Sequence, residues 1–114
     1  MKVLFMVRRP YYAAIVAGTK TEEIRKRTKR WATLALNLGN SMLGSNKPAE
    51  AVFLCGRDVH RRHVVDIEDD WESAEAYFAK NRPEHKLSAQ GKKDLGTGPV
   101  IVFYLGTSLD PIRL

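Results

Sequence analysis

The sequence predicts an α+β domain in the form of a small β-barrel with two to three short flanking helices. Three observations favour this class. Most apolar runs are short enough to be strands, few segments have helical periodicity, and the elements follow in the order β-α-β, β-β, α, β-β. Strands that succeed one another directly favour such a fold over a doubly wound parallel sheet.

The first part of the chain is predicted to hold two strands separated by a helix. Residues 2–8 form a short apolar run that ends before Pro10, which is typical of a buried strand. Pro10 suits the first helical turn because its missing N–H has no partner there, and Gly18 suits the left-handed residue that closes a helix. Residues 10–17 are therefore predicted to be helical, and a strand is expected over about residues 20–26.

The middle of the chain is less regular. Residues 29–38 contain leucines that are spaced both as in a helix and as in a strand, and their high Ala and Leu content favours a short helical turn. Residues 39–48 are rich in Gly, Ser and Asn and are predicted to form an exposed loop. Strands over residues 51–55 and 63–67 are expected to form a hairpin through a tight connection at residues 57–58.

The last part of the chain begins with the clearest helix signal. Residues 70–80 have apolar side chains on one helical face, and Asp70 is a suitable N-cap. Residues 81–98 are polar, with one proline and three glycines, and are expected to form a long surface segment with one irregular turn. Residues 99–105 give the strongest strand signal, and residues 109–114 are expected to add an edge strand.

Length and composition predict one domain over residues 1–114. The chain is 44% hydrophobic and 28% charged, as in ordinary globular proteins. No run approaches the roughly 20 apolar residues that span a bilayer, so no membrane association and a cytoplasmic location are expected. Cys55 is the single cysteine, which excludes an internal disulfide and agrees with a reducing compartment. At the end of an apolar strand it is expected to be a small core residue.

The net charge of +6 is unevenly distributed along the chain. Residues 1–30 hold nine Lys and Arg against two acids, whereas residues 66–75 hold six acids and no base. This separation predicts a basic surface that attracts polyanions. Nucleic acid is the obvious candidate.

The strand predicted over residues 20–26 gathers charges of both signs. Since side chains alternate along a strand, four polar residues should share one face and Ile24 should lie on the other. The four are Thr21, Glu23, Arg25 and Arg27. Lys20 offers a mobile charge for phosphate, Arg25 a planar fork, and Glu23 an acceptor for a base amine. The alternative is a solvated strand in which Glu and Arg simply pair.

Two denser basic clusters flank this strand in the sequence. Residues 25–30 carry five positive charges, and we expect Arg27, Lys29 and Arg30 to contact phosphate, although such runs are often only solvated loops. Arg61 and His63 belong to a cluster at the predicted hairpin and are expected to form a second wall of the site. His60 and His63 have a spacing that some metal sites use. No further ligand completes a set, so no metal site is predicted.

Aromatic side chains near the basic segments are candidates for stacking on bases. Tyr12 is the first candidate because it lies early on the helix before Lys20, and Trp31 is the second because it follows the basic run. The alternative for each is core packing with a polar tip at the surface. No cofactor is predicted.

The region from Pro10 to Arg25 resembles the signature of ASCH domains in the PUA-like superfamily, a Pro-x-Tyr-Ala helix start followed by Gly-x-Lys-x-x-Glu-x-Arg. The matching residues are Pro10, Tyr12, Ala13, Gly18, Lys20, Glu23 and Arg25. The resemblance implies a small PUA-like β-barrel with flanking helices. It also implies a cleft, lined by the motif, that holds RNA or a nucleotide-like ligand.

Two functions follow, with a third as the plainest alternative. The first is an RNA-binding module. The second is a small hydrolase acting on RNA or an acylated nucleoside, since the resemblance implies a motif lysine, a hydroxyl residue and a distant glutamate in some ASCH-like proteins. Glu23 occupies the position of that hydroxyl, so in an enzyme Lys20 and Glu23 would be catalytic, with Glu84 as a partner and Thr21 as the nearest hydroxyl. The third is a protein-interaction domain, whose partners the sequence does not identify.

Overall fold

Five strands form a mixed, half-barrel sheet with four helices packed on it, over residues 1–45 and 49–109, which the computed structural model of the chain describes. The strands are β1 (Lys2–Met6), β2 (Glu22–Lys26), β3 (Ala49–Cys55), β4 (Asp58–Trp71) and β5 (Val100–Ser108). The helices are α1 (Arg9–Ala17), α2 (Lys29–Ser45), α3 (Ala74–Asn81) and α4 (Ala89–Leu95). The predicted α+β class is confirmed.

The strand order is β1-β3-β4-β5-β2, with β1 parallel to β3 and every other pair antiparallel. β1 and β2 are the two edges, and no backbone ladder joins them within the described residues. We call the space between them the seam. It is crossed by a side chain, because the Arg25 guanidinium (NH2) donates to the Met6 carbonyl oxygen over 2.9 Å.

The two faces of the sheet carry separate apolar cores. The inner face packs against α1 and α2, and its largest fully buried side chains are Phe5, Phe53, Phe103, Ile15 and Leu38. The outer face is covered at its β2–β5 end by α3 and α4, around Ala74, Tyr77, Phe78, Val100 and Val102. β5 therefore contributes alternate residues to both cores, as the period of a strand requires. Burial on both sides explains its continuous apolar sequence.

Helix α2 differs most from the sequence prediction. It runs from Lys29 to Ser45 and includes most of the predicted 39–48 loop. Its start is capped by Thr28, whose Oγ1 accepts from the Trp31 backbone N–H over 3.2 Å. The apolar stripe that packs on the inner core consists of Trp31, Ala32, Ala35, Leu38 and Met42. This stripe holds the helix through a region rich in turn-forming residues.

The segment after the hairpin also differs from the prediction. β4 extends to Trp71 because its second half pairs with β5, with Trp71 opposite Val100. Helix α3 accordingly begins at Ala74, and Ser73, not Asp70, is its N-cap, accepting from the Ala76 N–H over 3.0 Å. The predicted surface segment 81–98 contains helix α4.

The remaining elements agree more closely with the prediction. The hairpin joins β3 and β4 with Cys55 opposite Asp58. β2 begins at Glu22, two residues later than predicted. The edge strand expected over 109–114 falls almost entirely outside the described residues, and Leu109 itself is not in a strand. No helix in residues 1–45 and 49–109 is long and apolar enough to cross a bilayer.

Candidate nucleic-acid interface

A cleft of about 910 Å³ runs along the seam, between α1 and the segment that leads into α4. All five residues of β2 line it, as expected for an edge strand whose outward backbone is unpaired. Among the described residues, six Lys and Arg and three acids line the cleft. The basic residues are Arg8, Lys20, Arg25, Lys26, Arg82 and Lys86, and the acids are Glu22, Glu23 and Asp94. The lining is therefore basic, with each acid beside an arginine.

Glu23 is the buried carboxylate of this cleft. Its position opposite Phe103 in the β2–β5 register turns the side chain to the inner face, and the residue is 6% exposed. One carboxylate oxygen, Oε1, lies 3.4 Å from Arg25 Nε, and the other, Oε2, lies 3.4 Å from Lys20 Nζ. Oε2 accepts no hydrogen bond within the described residues, and Arg25 Nε donates none. The cleft therefore contains a buried acceptor without a hydrogen-bond donor.

Arg25 links this carboxylate to an aromatic group and to the seam. Its guanidinium carbon lies 5.2 Å from the ring centroids of both Phe5 and Trp31, which stack on each other at 5.2 Å and 7°. Together with the bond to the Met6 carbonyl, these contacts fix the arginine fork over the inner core. Trp31, the second stacking candidate, lines the cleft as part of this group.

The Lys20 ammonium makes most of its contacts with other residues of the protein. Its ammonium donates to the Glu22 carbonyl oxygen over 2.8 Å, lies beside Glu23, and sits 5.5 Å from the Tyr11 ring centroid. The Lys20 backbone is held in turn by Arg62 on β4, whose guanidinium donates to the Lys20 carbonyl oxygen over 2.6 Å. Burial lowers the pKa of Arg62. Arg62 thus positions the residue that borders Glu23.

Glu22, the neighbour of Glu23, points to the outer face. Its Oε2 accepts from the Thr21 hydroxyl over 3.0 Å and from the Arg82 guanidinium over 3.0 Å. The predicted alternation therefore holds for Glu23 and Arg25, whereas Thr21 turns instead toward Glu22. Both Glu22 and Glu23 are nine-tenths buried, although the sequence pattern predicted a role only for Glu23.

The stacking residue predicted on α1 is placed differently. Tyr12 packs against the inner core, next to the Arg9 guanidinium, and it does not line the cleft. Tyr11 lines the cleft instead and is 38% exposed. Proline fixes the start of the helix but does not determine which of two adjacent tyrosines faces the core.

The basic run divides over two surfaces. Arg25 and Lys26 line the cleft, whereas Arg27, Lys29 and Arg30 do not. Arg27 turns toward β4 and donates to the Asp69 carbonyl oxygen over 3.1 Å. Lys29 and Arg30 form the exposed first turn of α2. Within this run, only Arg25 and Lys26 therefore lie in the cleft, and the phosphate contacts expected of Arg27, Lys29 and Arg30 remain predictions.

The second predicted wall also lies elsewhere. Arg61 and His63 are on the outer face of β4, where Arg61 pairs with Glu50 at 3.3 Å, and neither lines the cleft. His60 points to the opposite face of the strand and is buried beside Ser108, so the two histidines do not converge on one ion. No metal-binding group of three or more residues occurs within residues 1–45 and 49–109. Glu84 does not line the cleft either.

Several cleft residues were not identified from the sequence. Arg8, Arg82, His85, Lys86 and Asp94 line it, and His85 stacks on Phe78 at a centroid distance of 4.4 Å. Arg82, His85, Lys86 and Asp94 belong to residues 81–98, whose sequence is typical of a polar surface segment. The only sequence signal was the presence of cations and a histidine in a long segment between two elements.

Comparison with known proteins supports the fold. No protein-family model matches the sequence, and no curated protein sequence is significantly similar to it. Among solved structures, the chain resembles the crystal structure of the S128A mutant of ZmASCH from Zymomonas mobilis, with a TM-score of 0.61 and 19% sequence identity. The match covers 98% of this chain and 73% of that protein. The chain therefore shares the fold of that ASCH protein, as the resemblance of residues 10–25 to the ASCH signature predicts.

Proposed function

We propose that this protein binds RNA, or a nucleotide-like ligand, in the cleft along the seam. One observation carries the proposal: within residues 1–45 and 49–109, Glu23 Oε2 is a buried carboxylate oxygen that accepts no hydrogen bond, and it borders a cleft of about 910 Å³. A buried acceptor without a hydrogen-bond donor costs free energy, so it is a candidate for a ligand contact.

The surroundings of Glu23 favour a nucleotide over other ligands. The carboxylate suits an exocyclic or ring N–H of a base, since an ionised carboxylate only accepts hydrogen bonds. The aromatic side chains of Tyr11 and Trp31 provide surfaces for a base, and Arg8, Lys26 and Lys86 provide charge for phosphate. The ASCH fold of the neighbouring structure is compatible with this use.

A matched pair of variants tests the proposal. Fluorescence anisotropy with a short single-stranded RNA of mixed sequence would compare Glu23→Gln with Glu22→Gln. Both replace a buried carboxylate on the same strand and change the net charge equally. Loss of a hydrogen bond to a charged group predicts that Glu23→Gln weakens binding by about tenfold or more, with a much smaller effect of Glu22→Gln.

The salt dependence provides a second criterion. Each phosphate contact to single-stranded RNA contributes roughly −0.7 to the slope of log affinity against log salt. Binding no stronger than that of an unrelated basic protein, or equal losses in the two variants, would reject the proposal.

A hydrolase acting on RNA or an acylated nucleoside is the second candidate. The 3.4 Å separation of Lys20 Nζ and Glu23 Oε2 favours it, because a cation and a base then border the same space. The Thr21 hydroxyl is bound to Glu22 and Arg82, so it is poorly placed as a nucleophile. Turnover of acylated cytidines or short RNAs that Lys20→Ala abolishes would establish the enzyme. Binding without turnover would exclude those reactions.

A further inference from the structure

An ion pair spans the mouth of the cleft between its two sides. Arg8 immediately precedes α1, and Asp94 lies near the end of α4. The guanidinium donates to both carboxylate oxygens, at 3.4 Å from Nε to Oδ2 and 3.3 Å from Nη2 to Oδ1. Both residues line the cleft. This two-bond geometry is the one by which arginine also binds phosphate.

Asp94 is held in place from its own helix. The Gln90 side-chain amide donates to Asp94 Oδ1 over 2.9 Å. The bonds from Arg8 and Gln90 keep the pKa of the Asp94 carboxyl below its ordinary value. The mouth of the cleft therefore presents an arginine whose fork is occupied by an internal anion.

This pair differs from the other two acid–arginine pairs of the cleft in its exposure. The side chains of Glu22 and Glu23 are 8% exposed, whereas those of Arg8 and Asp94 are 57% and 39% exposed. Exposed ion pairs contribute at most about 1 kcal/mol, whereas breaking a buried pair leaves an uncompensated charge. An incoming anion can therefore displace Asp94 at low cost, but it cannot readily displace Glu22 or Glu23.

We propose that Arg8 is a phosphate-binding residue of the cleft and that Asp94 occupies its fork until a phosphate group displaces it. This inference rests on the proposed function, because the phosphate belongs to the nucleotide or RNA held at Glu23. It adds a specificity element, since only a ligand with enough negative charge at the mouth outcompetes the internal carboxylate.

The chain offers a matched control for this competition. Arg9, next to Arg8, pairs with Asp58 at 2.5 Å, their side chains are 59% and 55% exposed, and neither residue lines the cleft. Asp94→Asn and Asp58→Asn raise the net charge equally and each frees one arginine. Only the first frees an arginine at the cleft.

Isothermal titration with inorganic pyrophosphate at fixed ionic strength is the test. We expect Asp94→Asn to bind pyrophosphate about three- to tenfold more tightly than the unmodified protein, and Asp58→Asn to change affinity less than about twofold. The gain should vanish in the Arg8→Ala, Asp94→Asn double variant. In NMR spectra of the unmodified protein, pyrophosphate should shift the Arg8 side-chain Nε–H signal.

Two further ligands identify the source of the phosphate. A larger gain for a nucleoside 5′-monophosphate assigns Arg8 to a terminal phosphate, and a larger gain for an RNA tetranucleotide without terminal phosphates assigns it to the backbone.

Equal gains in Asp94→Asn and Asp58→Asn, no gain in either, or a gain that survives the loss of Arg8 would overturn the inference. Failure of the proposed function is distinguishable, because RNA binding would be absent while the pyrophosphate response of Asp94→Asn remained.

Discussion

Glu22 and Glu23 are adjacent carboxylates that are equally buried, yet they belong to different environments. On the outer face, Glu22 accepts from Thr21 and Arg82, and these bonds connect β2 to the end of α3. On the inner face, Glu23 has cations at 3.4 Å, but one of its oxygens accepts no hydrogen bond from the part of the chain that the structure describes. Burial and charge pairing are therefore alike for the two carboxylates. The acceptor without a hydrogen-bond donor among the described residues is what makes Glu23 the proposed ligand contact.

Removing the arginine of the inner face should have the largest effect on stability. Arg25→Ala loses the bond to the Met6 carbonyl, two aromatic contacts and the partner of Glu23 Oε1. We expect the free energy of unfolding, measured in urea, to fall by about 3 kcal/mol. Arg27→Ala, which removes an exposed arginine two residues away on the chain, should cost less than about 1 kcal/mol. Similar losses in both variants would contradict the role of Arg25 at the seam.

Neutralising each glutamate in turn tests whether Glu22 contributes more to stability than Glu23. Glu22→Gln should lower the free energy of unfolding by about 1–2 kcal/mol, because the neutral amide oxygen accepts more weakly from the charged Arg82 guanidinium than the carboxylate does. Glu23→Gln should lower it less than Glu22→Gln does, because no hydrogen bond to Oε2 from the described residues is lost, although Lys20 and Arg25 lose their ion-pair partner. Thermal or urea unfolding of both variants measures the two changes in the free energy of unfolding. A larger loss for Glu23→Gln would mean that Glu23 is the more structural of the two.

The two tyrosines of α1 extend the comparison to the wall of the cleft. Tyr11→Ala should weaken RNA binding about threefold to tenfold and change stability by less than about 0.5 kcal/mol, since Tyr11 is partly exposed in the cleft. Tyr12→Ala should do the reverse, since it removes packing from the inner core. Anisotropy and unfolding curves separate the two effects, and loss of binding in the second variant alone would return the stacking role to Tyr12.

The outer face should also respond to alkaline pH. The Tyr104 hydroxyl donates to Glu68 Oε1, and burial followed by this bond raises the pKa of Tyr104 above its ordinary value of 10.0. A raised pKa means that the unfolded chain loses this proton before the folded protein does, so stability decreases as pH rises above 10. Tyr104→Phe should remove this component from unfolding curves recorded between about pH 9 and 11. An unchanged alkaline slope would exclude it.

The smallest effect is expected on the far face of β4. Arg61→Gln removes a cation that pairs with Glu50 outside the cleft, so RNA affinity should change by less than about twofold. Arg8→Gln removes a cation from the cleft itself and serves as the matched comparison in the same anisotropy titration. A larger loss from Arg61→Gln would place the RNA on the outer surface of β4.

The fold was predictable where local pattern and tertiary packing agree. The apolar run of β5 and the Pro10 and Gly18 boundaries of α1 correspond to elements in the structure. Helix α2 was partly missed because turn-forming residues over 39–45 outweighed a stripe at positions 31, 35, 38 and 42, a helical spacing that the sequence does contain. The start of α3 was misplaced because residues 68–71 extend β4 by pairing with β5, which no local signal reveals.

The centre of the candidate site was predictable for the same reason. Lys20, Glu23 and Arg25 converge at one cleft, because β-strand alternation places Glu23 and Arg25 on one face and Arg62 holds Lys20 beside them. The outer cations were not predictable, since charge density along the chain does not determine where the chain turns. The sequence around Arg61 and His63 is as rich in basic residues as the sequence around Arg8 and Arg82, but only Arg8 and Arg82 line the cleft.

The hydrogen bond from Arg25 to the Met6 carbonyl oxygen connects the ligand site to strand β1. The barrel is closed at this point by a side chain from the same residue that flanks Glu23. A ligand that engages Glu23 would also tighten the contact between the first and last strands of the sheet. Occupancy should therefore slow amide hydrogen exchange in β1, the edge strand across the seam from Glu23.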